Sequence, residues 1–201
     1  QLGDATDEAL VEELSGPNRW WRTNAQRLLV DRGNNQAVPM LIQKATKDTS
    51  SMGRLHSLWT LEGMKELTAE LIAQALRDPE PGIRENAIKL AELHLTDAPE
   101  LADVLLPLQT DPDAKVRFQL LCTLGFSDTP AAADARRNLL FRDMDDNWVQ
   151  IAALSAASSQ SYPLLKEVLE HFQDDRVAYA SLARRLAAMI AAGGKSASIQ
   201  Q

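Results

Sequence analysis

Ile83-Arg84-Glu85-Asn86-Ala87 and Val116-Arg117-Phe118-Gln119-Leu120 are two copies of one helical phrase, and that phrase decides how the chain folds. Working outward, it occurs upstream as Trp21-Arg22-Thr23-Asn24-Ala25 and Gly53-Arg54-Leu55-His56-Ser57, and downstream as Val149-Gln150-Ile151-Ala152-Ala153. The arginines fall at 22, 54, 84 and 117, with spacings of 32, 30 and 33, and Gln150 takes the next position after another 33. A fixed period in this range marks units that can bury an apolar face only against their neighbours. The expected fold is all-α: a right-handed α-α superhelix of about six helix pairs, with no shared central nucleus.

Within the phrase, apolar residues recur at i, i+4, i+7 and i+8, as in Ile83, Ala87, Leu90 and Ala91. That spacing is one face of a helix, and the small residues Ala25, Ser57, Ala87 and Ala153 let adjacent helices approach closely. The spacing predicts inner helices over about residues 18–32, 51–64, 81–95, 113–126 and 146–159. Outer helices are expected at about 6–15, 35–47, 66–77, 98–109, 130–142 and 161–173, with a last helix near 175–192. Gly16-Pro17-Asn18, Asp78-Pro79-Glu80-Pro81-Gly82 and Asp111-Pro112-Asp113 punctuate the pattern, because proline cannot donate to a helix ladder. Asn18 is an expected N-cap, and Asp78, Asp111 and Asp145 precede inner helices at spacings of 33 and 34. Gly33 and Gly63 are expected C-caps. Residues 1–192 therefore read as a single solenoid domain, and 193–201, rich in Gly, Ser and Ala, as a flexible tail.

The bulk composition agrees with a folded helical chain. Of 201 residues, 45% are hydrophobic, 24% charged and only 5% aromatic, which favours helix over strand. Lysine and arginine number 21 against 28 acidic residues, so the net charge is −7, which argues against nucleic acid as a general partner. The single cysteine, Cys122, excludes an internal disulfide or a multi-cysteine metal site, and its apolar setting predicts a buried thiol. No apolar run approaches the roughly 18 residues of a membrane span. The opening reads as an acidic amphipathic helix and not as a leader peptide, and the first residue, Gln1, suggests an excised or processed piece.

The signature Asp-x-x-x-x-Val-Arg, followed by an alanine four residues after the Val position, resembles HEAT repeats, and it is clearest from Asp78 to Arg84 and from Asp111 to Arg117. A narrower likeness lies in Asn18-Arg19-Trp20-Trp21-Arg22, in Arg54 to Gly63 and in Val116 to Leu120. These resemble the HEAT region of large bacterial membrane-bound dehydrogenases, which join a propeller, a HEAT array and a c-type haem domain. The resemblance implies a middle segment of such a protein, in the periplasm or cell envelope. The haem-binding Cys-x-x-Cys-His is absent from this sequence, so no redox activity and no cofactor follows from the likeness.

Candidate chemistry is sparse. His56, His94 and His171 fall in different repeats, without metal-ligand spacing, so no metal site is expected. His56 shares a column with Asn24, Asn86 and Gln119, which predicts hydrogen bonds between adjacent repeats. Arg22, Arg54, Arg84 and Arg117 share the period of Asp78 and Asp111, which predicts a structural Asp–Arg ladder with Arg84 and Arg117 buried and paired. Trp21 belongs to a core column, whereas Trp20, Trp59 and Trp148 do not, and Trp148 reads as a packing residue. Trp20, Trp59, Arg27 and Lys89 are the candidate interface, with packing between helices the alternative reading for Trp20 and Trp59. There is no glycine-rich phosphate loop, nucleophile elbow or recognisable carboxylate pair, so no catalytic residue is assigned.

The expected function is a non-catalytic scaffold for protein or interdomain docking, working through the concave face of the inner helices. Two other readings fit similar repeats. One is a bilin-lyase-like protein cradling a small ligand in the groove. The other is a helical-repeat glycosylase, which would need a continuous positive groove.

Overall fold

Twelve α-helices and three short 3-10 turns form the regular structure of the described residues, and none of them forms a strand. The structure, a computed structural model, describes residues 2–127, 129–155, 161–172 and 176–192. Contacts divide the chain into two compact units, Gln1–Leu105 and Leu106–Gln201. The expected tail at 193–201 and the end of the inner helix expected to reach 159 lie outside the described residues.

The first unit holds α1 (Asp7–Glu13), α2 (Arg19–Arg32), α3 (Val38–Lys47), α4 (Ser51–Gly63), α5 (Ala69–Ala75), α6 (Pro81–His94) and α7 (Leu101–Leu105). Helix α2 packs on α4 and α4 on α6, while α1 packs on α3, α3 on α5 and α5 on α7. Each outer helix also packs on the inner helix that follows it, α1 on α2, α3 on α4 and α5 on α6. The unit is thus a two-layer stack of like pairs, the arrangement of an α-solenoid. Its core is one leucine-rich seam between the layers, with Leu10, Leu14, Leu29, Leu41, Leu58, Leu61, Ile72, Ile83 and Leu90 at 1% exposure or less.

The second unit begins with a 3-10 segment, Leu106–Thr110, and continues with α8 (Ala114–Leu124), α9 (Pro130–Asp143), α10 (Asn147–Leu154), α11 (Ser161–Glu170) and α12 (Val177–Ala192). Here α8 packs on α9, on α10 and on the 3-10 segment, while α11 packs on α12. Val116, Leu120, Leu121, Leu139, Leu140, Met144, Leu182 and Leu186 are buried. The expected outer helix at 98–109 is split because Pro107 has no N–H to give the α-helical ladder, so the chain tightens into the 3-10 turn.

Local chemistry sets the helix starts. Side chains of Thr6, Asn18, Ser50, Thr68, Asp113, Thr129 and Asp146 each accept a backbone N–H of the following helix. Pro81 and Pro130 sit in the first turn, where their missing N–H costs nothing. Asp78 and Asp111 are not the caps, since Glu80 and Asp113 hold those places.

The two glycines expected as C-caps behave differently. Gly33 ends α2 with φ 57°, the left-handed conformation that glycine reaches without strain. Gly63 is instead the last residue of α4, and the left-handed turn falls on Lys65 at φ 62°. What demands glycine at 63 is packing, because a Cβ there would sit 2.7 Å from Val30 Cγ2 on α2. Gly63→Ala should therefore lower stability by about 1–3 kcal/mol, the cost of overpacking. Gly82→Ala, whose Cβ would lie 4.0 Å from the nearest atom, should be neutral or stabilising. Urea unfolding of both variants checks this, and equal effects would contradict the packing account.

Candidate interaction surface

Five side chains at the repeated position make one and the same bond. Nη1 of Arg22, Arg54, Arg84 and Arg117 donates to the carbonyl six residues earlier, at Gly16, Asp48, Asp78 and Asp111, each at 2.8 Å. Gln150 Nε2 donates in the same way to the Met144 carbonyl, also at 2.8 Å. These carbonyls lie in the turn between outer and inner helix, where helix ends leave backbone acceptors without partners. The clamp joins the end of one helix to the first turn of the next in each of these five places.

The rest of the guanidinium works between pairs. Arg54 grips the Asp78 carboxylate through Nε at 2.7 Å and Nη2 at 2.8 Å, and Arg117 grips Asp143 at the same two distances. The Arg54 and Asp78 side chains are 12% and 10% exposed, so solvent screens this pair little. Hydrogen bonding to Asp78 raises the Arg54 pKa and hydrogen bonding to Asp143 raises that of Arg117, which fixes both as cations. Asp78 is also turned by its own loop, since its Oδ1 accepts the Glu80 N–H. Arg117 is 7% exposed, while Arg84 is half-buried and further bonded to the Pro79 carbonyl.

The acidic partners differ from the periodic set in the sequence. Asp143 and not Asp145 receives Arg117, because α9 ends at Asp143 and the turn carries Asp145 out to pair with Arg176 at 2.7 Å. Asp48 occupies the register of Asp78, but Lys44 at 2.8 Å and Ser15 at 2.5 Å take its Oδ2. Arg22 therefore meets no carboxylate among the described residues, and its Nε donates to His56 Nε2 at 3.2 Å. Because Nε2 accepts, the imidazole proton sits on Nδ1, which donates to Gln26 Oε1 at 2.7 Å.

The polar column is only partly an inter-repeat device. His56 on α4 reaches Arg22 and Gln26 on α2, and Asn86 Oδ1 on α6 accepts the Trp59 indole N–H of α4 at 3.1 Å. Asn24 instead bonds the Trp20 carbonyl and Gln119 the Thr123 hydroxyl, both within their own helices. His94 Nε2 lies 2.6 Å from Glu62 Oε2, an inter-helix link absent from the sequence reading. The signal was available: Glu62 follows Arg54 and His94 follows Arg84 at nearby helical positions.

Tryptophans depart most from expectation. Trp21 was expected in the core column with Ile83, Val116 and Val149, yet it is 40% exposed while those three are at most 5%. An indole is too large for a slot that valine fills, so Trp21 turns outward and packs edge-to-face on Trp20 at 5.9 Å. Trp20 is 63% exposed and Trp148, expected to be a packing residue, is 67% exposed. Trp59 is half-buried. Arg27 is exposed with only a loose 4.0 Å contact to Asp31, and Lys89 is tied to Glu85 at 2.7 Å. Cys122 is half-buried and not fully buried as expected.

Among the described residues no group of His, Cys, Asp and Glu could hold a metal, and no helix is long and apolar enough to cross a membrane. A shallow pocket in the second unit is lined by Arg136, Arg137, Leu140, Ala153, Pro163 and Glu167. Arg137 is held there by Asp134 and Glu167.

Burial first, then the charges of Arg22 and Arg19, push the His56 pKa below its ordinary 6.5. The unfolded chain thus takes up a proton at this site before the folded one does. The His56 contribution to stability is complete above about pH 6.5 and is lost as pH falls toward the lowered folded value. Melting temperature followed from about pH 7 to 5 should fall more steeply in the native chain than in His56→Asn. Parallel curves would contradict this placement of His56.

Comparison with known proteins accords with the repeated geometry. No curated protein matches the chain closely enough to count as a relative. The chain is similar to an engineered protein of known crystal structure, at 19% identity over 92% of this chain and 98% of the other, with a TM-score of 0.48. Residues 68–158 match the HEAT repeats family. They begin at Thr68, the N-cap of α5, and contain the clamps of Arg84, Arg117 and Gln150. That segment, close to half of the chain's length, is what is similar to HEAT repeats.

Proposed function

We propose that this chain is a non-catalytic scaffold that binds protein, or docks neighbouring domains of its own chain, through the outward surface of its inner helices. One observation carries the reading. The polar groups at the repeated position bond within the stack, and large apolar groups remain outward on the inner helices or just past their ends. Trp20 is 63% exposed, Leu93 59%, Phe126 77% and Trp148 67%. Exposed aromatics on a rigid helical frame are the usual anchors of protein interfaces. Arg27, free to leave its loose contact with Asp31, and Lys89 and Trp59 lie on the same inner helices.

The likeness of Asn18–Arg22, Arg54–Gly63 and Val116–Leu120 to the HEAT region of membrane-bound dehydrogenases supports a finer reading. In it, the chain is the spacer between a propeller and a c-type haem domain, and works in the cell envelope. A propeller upstream and Cys-x-x-Cys-His downstream in the reading frame is the expected outcome.

The binding test uses this chain against those two flanking domains, each expressed separately. At least one should be retained, and the double variant Trp20→Ala, Trp148→Ala should weaken retention about tenfold or more. Failure of both domains to bind, or binding indifferent to the two tryptophans, would contradict the proposal.

A further inference from the structure

The Arg22 position differs from those of Arg54 and Arg117 in the electrostatics of its partner. Arg54 and Arg117 each hold a carboxylate in a two-point grip, whereas Arg22 meets a neutral imidazole. Arg22 is 9% exposed, and its printed bonds use Nε and Nη1, leaving Nη2 without a protein acceptor among the described residues. The carboxylate in register, Asp48, is held away by Lys44 and Ser15. A guanidinium this little exposed, without a carboxylate partner and with one nitrogen still open, attracts anions.

Two further features converge on the same turn. Arg19, at the start of α2, makes no ion pair among the described residues, in a chain whose net charge is −7. Its charge reaches His56, where it and Arg22 both oppose protonation. Beside these cations stand Trp20 and Trp21, in edge-to-face contact at 5.9 Å and 63% and 40% exposed. Cationic and apolar surface are thus juxtaposed on one helical turn.

We infer that this turn is a docking site for an acidic peptide segment of a partner protein. Arg19 and Arg22 Nη2 take one Asp or Glu carboxylate, and the Trp20–Trp21 pair takes an adjoining apolar side chain. Arginine suits the carboxylate because its planar fork matches two oxygens. The indoles exclude water from the pair and strengthen it. His56 holds Arg22 in place and stays neutral, so it offers no competing charge. The inference rests on the scaffold reading and supplies the partner chemistry that reading lacks.

The test titrates the full chain against a short fluorescein-labelled peptide alternating glutamate and phenylalanine, with the glutamine–phenylalanine version as control. Anisotropy should show binding of the acidic probe that weakens from roughly 50 to 500 mM salt, as Debye screening requires. Arg19→Glu and Trp20→Ala, both at exposed positions, should each weaken it about tenfold or more. Trp148→Ala should leave this probe unaffected while impairing domain docking, so the two readings can fail separately. Four outcomes would overturn the inference. These are no binding of the acidic probe, equal binding of the glutamine version, binding of duplex DNA with the same dependence on Arg19, or self-association of the chain abolished by Trp20→Ala.

Discussion

A cationic or amide side chain closing on the carbonyl six residues upstream is the constraint on which the rest of this structure depends. It recurs at Arg22, Arg54, Arg84, Arg117 and Gln150 at an unvarying 2.8 Å. Each clamp satisfies a turn carbonyl that helix geometry leaves orphaned, and so fixes the angle at which an outer helix hands over to an inner one. Within the first unit, the leucine-rich seam then runs from one pair to the next. Where the guanidinium also forks onto a carboxylate, as at Arg54–Asp78 and Arg117–Asp143, the bond inside a pair is coupled to the bond between pairs. Gln150 keeps the carbonyl bond and, in place of the fork, reaches the Ala178 carbonyl of α12 at 3.3 Å.

How much of this could be read from the sequence follows the same division. The inner-helix column was legible because burial repeats it: Ala25, Ser57, Ala87 and Leu120 are each at 0% exposure. Arginine periodicity marked the clamp, since the bond to the turn carbonyl depends only on a six-residue spacing. The acidic side was less legible because a carboxylate has several neighbours. Asp48 has the right register and the wrong partner, since Lys44 and Ser15 lie closer to it than Arg22 does. Asp145 has the right spacing but lies past the end of α9, where Arg176 meets it. Trp21 occupies a core column by count and leaves it by size. Gly63 read as a cap because sequence shows a helix end and not the Val30 side chain packed against it.

Two of these departures, at Trp21 and at Asp48, fall beside Arg22. Where the carboxylate fork is present, at Arg54 and Arg117, the charges are neutralised and the side chains held. Where Asp48 is diverted, a buried cation lacks its carboxylate and two indoles face outward. Local violation of an otherwise uniform pattern is what a binding surface on a repetitive frame requires.

The account stands most directly on the free energy that couples Arg54 to Asp78. A double-mutant cycle with Arg54→Met and Asp78→Asn, read by urea unfolding, isolates it from the loss of either side chain alone. A coupling of about 2 kcal/mol or more is expected for a forked pair this little exposed, against at most about 0.5 kcal/mol for the exposed Arg27–Asp31 pair. Equal coupling energies for the two pairs would show that the stack is held by its apolar seam alone.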